Sequence, residues 1–200
     1  TILVPTGTEG FTVEPGYRKM GWRASDTHPL TFIDARVPAE NLLGERGKGF
    51  HQFLSTLDDG RIAVGAMAVG VLQACLEESV AYANDRHAFG KPIGSYQAIA
   101  FKCADIEVMT HAARLLTYKA AWLKDQGLPF KQEAAIAKLY ASEAAVAASR
   151  DATQIFGGAG FMDETLVARH YRDSKALEIG EGTSEIQRLV ISRGLGLPIS

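Results

Sequence analysis

Ile179-Gly180-Glu181-Gly182-Thr183-Ser184-Glu185-Ile186-Gln187-Arg188 sets one carboxylate between two glycines, at the mouth of a predicted helix. The flanking glycines permit backbone angles and close approaches that a side chain would block. Ser184 and Gln187 have the S-x-x-Q spacing of a capping box. Ile186, Leu189 and Val190 follow at helical spacing, and Gly194 with Pro198 closes the element. A carboxylate presented in this way, beside the free N–H groups of a helix start, suits a general base held against a ligand by its own backbone. Such a base works best when its surroundings bring its pKa toward the working pH. The plainer reading is a solvated acid in a glycine-rich loop.

The elements that must position this turn are mostly helical. Residues 1–45 read as β, with short apolar runs at residues 1–4, 11–13 and 30–33, punctuated by glycine, proline and aspartate. From about Gly49 the apolar period changes from two to 3.6. Long helices are predicted over residues 49–84, 95–127 and 131–156, a short one over 164–174 and a last one from 184. On the first helix, Phe50, Phe53, Leu54 and Leu57 open an apolar face that Ile62, Val69, Leu72, Leu76 and Val80 continue. Gly65, Ala66, Ala68 and Gly70 leave a smooth face for another helix. The third helix is rich in alanine, the best helix former. The expected fold is mainly α: an antiparallel helical bundle over residues 46–200, preceded over residues 1–45 by a β segment too small to close its own core.

Composition narrows the function classes. The 200 residues are 46% apolar and 22% charged, with 21 Lys plus Arg against 23 Asp plus Glu. No basic stripe points to a nucleic-acid partner. No uninterrupted apolar run reads as long enough for a bilayer. Cys75 and Cys103 lack metal or redox spacing and read as reduced core thiols. His28, His51, His87, His111 and His170 are scattered without ligand spacing, so they are read as structural or surface residues and no metal is expected. No leader sequence is visible, and the start at Thr1 without an initiator Met fits a fragment or a processed product.

Two stretches carry a family resemblance. The Glu181 segment resembles the C-terminal signature of the acyl-CoA dehydrogenases. So does Gln154-Ile155-Phe156-Gly157-Gly158-Ala159-Gly160-Phe161, followed by Asp163, Arg169 and Asp173. The wording of Gly21-Trp22-Arg23-Ala24-Ser25-Asp26-Thr27 and of Val37-Pro38-Ala39-Glu40-Asn41-Leu42-Leu43-Gly44 is also family-like. The resemblance runs over essentially the whole chain and covers the second half of a family member. It implies that residues 1–45 end a middle β-domain and residues 46–200 form the C-terminal helical domain.

The resemblance implies roles residue by residue. Glu181 would remove the α-proton of an acyl-CoA thioester, while the β-hydrogen leaves as hydride to flavin N5. The Glu181 backbone N–H would help polarise the thioester oxygen, with Gly182 on the substrate side. Some members place the base on the first long helix; the equivalent position here is Gly60, which has no side chain, and Asp59 should face elsewhere. Asp58 and Arg61 match positions that contact the CoA moiety, although an i, i+3 Asp–Arg pair also reads as an ordinary helix-surface ion pair. Arg86-His87-Ala88-Phe89-Gly90 resembles a turn that reaches the FAD of a neighbouring subunit, with Arg86 suited to a pyrophosphate and Phe89 beside the cofactor. Gln97 matches a further cofactor contact. Gln154, Gly157 and Gly158 match a turn near the adenosine half of FAD, though a plain C-cap is the local reading. Thr183, Ser184 and Glu185 match contacts to FAD from the base's own subunit. Ser25 and Thr27 could face flavin or substrate, or simply form a turn. Gly180 stands where many members have Tyr, which reshapes the acyl pocket.

The implied activity is FAD-dependent α,β-dehydrogenation of a saturated acyl-CoA to the trans-2-enoyl thioester. An electron-transfer flavoprotein would take the electrons, and the enzyme would be a homo-oligomer, a dimer or tetramer. Its place would be the bacterial cytoplasm or the mitochondrial matrix. The fragment alone is expected to be inactive. Two alternatives stay open: an acyl-CoA oxidase or flavin monooxygenase-like relative, and a non-catalytic helical oligomerisation module.

Overall fold

The structure, a computed structural model, describes residues 1–199. Two compact units are present, Thr1–Leu57 and a larger one from Asp58 onward.

In the first unit β1 (Phe11–Val13) pairs antiparallel with β2 (Leu30–Phe32), in the register Phe11↔Phe32, Thr12↔Thr31, Val13↔Leu30. Phe11 and Phe32 stack across the pair, with centroids 4.8 Å apart. Such cross-strand aromatic pairs are a main source of sheet stability. The run at residues 1–4, expected as a strand, makes only the isolated bridge Ile2↔Leu42, flanked by Leu3 N–H to Asn41 O (2.9 Å) and Leu43 N–H to Thr1 O (2.9 Å). Its partner segment emerges directly from a 3-10 turn, Ala39–Asn41, so no longer ladder can form.

Five α-helices dominate the described residues: α1 (Gly49–Asp85), α2 (Gln97–Asp125), α3 (Lys131–Phe156), α4 (Leu166–Ile179) and α5 (Ser184–Gly194). Between α1 and α2 a tight hairpin pairs β3 (His87–Ala88) with β4 (Lys91–Pro92). Helix α3 is the hub and packs against α2, α4, α5 and the 3-10 turn Gly157–Phe161. Its buried residues include Ala134, Ala137, Ala141, Ala145, Ala148 and Ala152. These small side chains let neighbouring helices approach closely. One core cluster joins Ala120, Ala134 and Ala137 with Ile62, Leu116 and Phe130.

The buried positions of α1 are Arg61, Val64, Gly65, Ala68, Leu72, Cys75, Ser79 and Ala83, a stripe at spacings of three and four. Of the four small residues expected to form a smooth face, Gly65 and Ala68 are buried, while Ala66 and Gly70 are exposed. At Gly65 a Cβ would come within 3.0 Å of Thr117 Oγ1 of α2. By length and composition alone α1 would suffice to cross a bilayer, a test that the core helix of a globular protein also passes. Its buried stripe is nevertheless that of a core helix. The outer face of α2 carries exposed Phe101, Val108, Leu115 and Trp122, each seven residues from the last.

Candidate active site

Glu181 stands on a backbone that few side chains adopt, with φ of 55°. Gly182 follows at 93° and Thr183 is the N-cap of α5. The turn is fastened at both ends. On the α4 side, the Gly180 N–H donates to Ala176 O (2.9 Å), and Lys138 of α3 donates from Nζ to Glu178 O (3.1 Å). Lys138 is fully buried, and burial pushes its pKa below the ordinary lysine value, with Arg61 acting in the same direction and Glu178, Glu143 and Glu185 opposing. A lysine at a helix C-terminus meets carbonyls that have no helical partner.

On the α5 side the expected capping box is absent. The N-cap is Thr183, so Ser184 and Gln187 fall at the first and fourth helical positions, one step out of register for the box. Ser184 Oγ is buried without a partner. Gln187, wholly buried, turns back and donates from Nε2 to Glu181 O (3.2 Å) and Gly182 O (2.8 Å). Glu185 is held below the ordinary glutamate range, first by a hydrogen bond from the Thr183 side chain and then by its own backbone N–H. An acid in the first turn also complements the helix dipole.

The Glu181 side chain is exposed but lies against α1. A Cβ on Gly60 would overlap Glu181 Oε2 and stand only 2.7 Å from its Cδ. Neighbouring residues on α1 separate as helical rotation requires. Asp59 pairs with Lys124 of α2 at 2.9 Å. Arg61 pairs with Asp58 at 2.5 Å, and this pair is not a surface one: Arg61 is 4% exposed and its Nε is buried without a partner.

A second group of expected residues gathers elsewhere in the same unit. Arg86, at the end of α1, lines a cleft of about 400 Å³ with Tyr82, Ile93, Phe156, Gly157 and Gly158. Among these lining residues Tyr82 stacks on Phe156 at 4.0 Å. Gly157 is the C-cap of α3, with φ of 59°, and a Cβ on Gly158 would meet nothing within 4 Å. The Arg86 guanidinium has no carboxylate partner among the described residues. Phe89 occupies the hairpin tip at φ of 53° and is 97% exposed. Gln97 and Gln154 are exposed but do not line the cleft. In the first unit Lys19 donates to Ser25 O (2.5 Å) and to Thr27 Oγ1 (2.8 Å), a turn-forming arrangement.

Sequence reasoning missed the roles of Tyr82, Lys138 and Gln187. Lys138 left a visible signal, because it lies on the alanine stripe 134, 137, 141, 145 where a charge has to find a partner. Among the histidines, His170 is half-buried, and burial together with Arg169 lowers its pKa against the pull of Glu78 and Asp173. Burial, with a smaller effect of Glu78, pushes the Cys75 thiol up to about 12.

Residues 47–196 match the family model described as acyl-CoA dehydrogenase, C-terminal domain. The short-chain specific acyl-CoA dehydrogenase of Rattus norvegicus mitochondria is 53% identical over 191 residues, covering 96% of this chain and 46% of that protein. The structure of butyryl-CoA dehydrogenase from Megasphaera elsdenii superposes with a TM-score of 0.96 at 47% identity, over 98% of this chain and 51% of the other. An FAD complex of PigA superposes at 0.93 with 33% identity, over 98% and 51%. The chain thus spans about half the length of the curated relatives it matches.

Proposed function

The chain belongs to the acyl-CoA dehydrogenase family, and from that premise we propose that it is part of an enzyme that oxidises a short, saturated acyl-CoA to its trans-2-enoyl thioester. The observation that carries this reading is the Glu181 turn: a carboxylate on a left-handed backbone, lodged against a residue without a side chain. On this reading residues 1–45 end a middle β-domain and residues 46–200 are the C-terminal helical bundle. A short acyl chain is supported by the names of the relatives that cover the sequence, a short-chain and a butyryl-CoA dehydrogenase.

Glu181 takes the α-proton onto its carboxylate. The C–H bond is only weakly acidic, so charge growing on the thioester oxygen needs a donor in place beforehand. The Glu181 N–H, fixed by the turn, serves as that donor, and Gly182 leaves room for the thioester. Asp58 and Arg61 lie on the α1 turn beside the carboxylate and take the CoA side. Bound substrate covers the exposed face of Glu181 and excludes water from it.

The residues present fit FAD. Arg86 offers an unpaired guanidinium to a pyrophosphate, whose oxygens its planar fork can meet with two hydrogen bonds. Gly157 and Gly158 leave the cleft wall open where a side chain would intrude. Gln97, Gln154 and the exposed Phe89 add contacts around it, and Thr183, Ser184 and Glu185 hold the cofactor beside Glu181. When bound, FAD supplies the acceptor for the β-hydrogen. Two separate groups of contacts on one chain fit a homo-oligomer in which neighbouring copies share cofactors, with an electron-transfer flavoprotein as the acceptor of electrons.

The test uses the full-length parent as wild type and as Glu181→Gln. Each is mixed anaerobically with butyryl-CoA and with longer and branched acyl-CoAs, and the flavin absorption band is followed. Wild type should bleach fastest with the short straight chain, and Glu181→Gln should bind without bleaching. Equal bleaching by both would place the base elsewhere. On the same reading the 200-residue chain alone holds FAD weakly and does not turn over; stable flavin retention with enoyl product would reverse that.

A further inference from the structure

We infer that Gln187 is the positioning residue of the Glu181 turn. Its side-chain amide holds the base in the left-handed backbone by donating to the carbonyls of Glu181 and Gly182. This inference rests on the reading of Glu181 as the base.

The argument begins with helix geometry. Side chains on an α-helix lean toward its N-terminus. Gln187 sits one turn inside α5, its own N–H donating to Thr183 O at 3.0 Å. Its side chain therefore reaches back over the N-cap to the residues that precede the helix. A primary amide has two N–H donors, and two carbonyls are found in place for them, at 3.2 Å and 2.8 Å. Both belong to the residues with positive φ. A non-glycine residue keeps such a backbone only where its surroundings over-determine it. The α4 side of the turn is fixed before Glu181, at Ala176 and Glu178. Among the described residues, Gln187 is the side chain that bonds to the carbonyls of Glu181 and Gly182.

Gly182 fits the same device. A Cβ there would stand 2.9 Å from Gln187 Nε2 and 3.2 Å from Ile186 Cγ2. The glycine after the base thus leaves space for the amide that holds the base. The pairing satisfies the amide nitrogen of a wholly buried side chain, while Gln187 Oε1 is buried without a partner.

The test uses the full-length parent as wild type, Gln187→Met, Gln187→Glu and Glu181→Gln. Three readouts are taken: anaerobic flavin bleaching by butyryl-CoA, the butyryl-CoA concentration at half-maximal rate, and hydrogen–deuterium exchange of the peptide over residues 180–186. Gln187→Met, which keeps length but loses both donors, should bleach about 100-fold more slowly, the size expected from a misplacement near 1 Å. Its half-saturating concentration should change little and its turn should exchange faster. Gln187→Glu keeps the shape and makes the donor dependent on pH, with thermal unfolding checking that each variant folds. It should be slow when the carboxylate is ionised and recover as pH falls, because the neutral acid regains one O–H donor. A purely structural role would not give that recovery once the wild-type pH profile is divided out. Wild-type rate and wild-type exchange in both variants would overturn the positioning role while leaving Glu181 as the base. Bleaching by Glu181→Gln would instead overturn the base reading, and the exchange data would still judge the turn.

Discussion

A methyl group at position 60 and the carboxylate of Glu181 would compete for one space. Alanine in an exposed helix interior normally gains roughly 1 kcal/mol over glycine. Gly60→Ala should therefore fold at least as well as wild type, yet push the Glu181 carboxylate off α1. In the full-length parent the expected result is an unchanged or slightly raised Tm with bleaching slowed at least tenfold, an effect of about 1.4 kcal/mol on the barrier. A variant with wild-type rate would show that contact with α1 is not needed. At this scale the sequence revealed the acid, its two glycines and the empty position opposite. It concealed Gln187, because S-x-x-Q reads as a capping box whenever the N-cap is placed on Ser184. One residue of register decided the matter: with Thr183 as the cap, the same glutamine reaches past the helix end to the turn. The Asp58–Arg61 pair was equally ambiguous, since spacing shows that two charges meet but not whether water reaches them.

Helix ends, rather than helices, are where sequence and structure diverge. The bodies of α1, α2 and α3 follow from apolar period and alanine content, but α4 continues to Ile179, beyond the residue 174 expected for it. In its added turn the carbonyl of Glu178 accepts from Lys138 of another helix; periodicity within α4 carries no trace of that. The turn after α3 separates two uses of glycine. A Cβ on Gly160 would meet the Thr153 carbonyl and stand 2.9 Å from Phe156 Cβ, whereas one on Gly158 would meet open space. Gly160→Ala should cost roughly 1–3 kcal/mol by overpacking, and Gly158→Ala should stay within about 0.5 kcal/mol of wild type. Thermal unfolding of the two variants checks this. Gly158→Ala should in turn lower flavin retention after gel filtration, because Gly158 lines the cleft with Arg86 and the proposed cofactor would meet the added methyl group. A Gly158→Ala variant that retained its flavin in full would separate the cleft from the cofactor.

The molecule as a whole presents many large apolar side chains to solvent. Phe89 at the hairpin tip and Phe161 at the end of the 3-10 turn are almost fully exposed, and α2 shows its stripe of four large side chains at intervals of seven. Contiguous exposed apolar surface is a common feature of docking faces, and the proposed homo-oligomer would use these side chains. The overall architecture was legible because two motifs, in order and at a fitting separation, carried the family resemblance together, and the family match over residues 47–196 bears it out. The exposure of these faces was not legible, because apolar period alone does not tell a buried stripe from an exposed one.

The division into two compact units has an optical side. Of the chain's two tryptophans, Trp22 falls in Thr1–Leu57 and Trp122 in the larger unit. Indole emission therefore carries one lamp for each unit. Removing either by substitution with phenylalanine leaves the other to report alone, so the melting of the β segment and of the helical bundle can be watched separately in a single unlabelled protein.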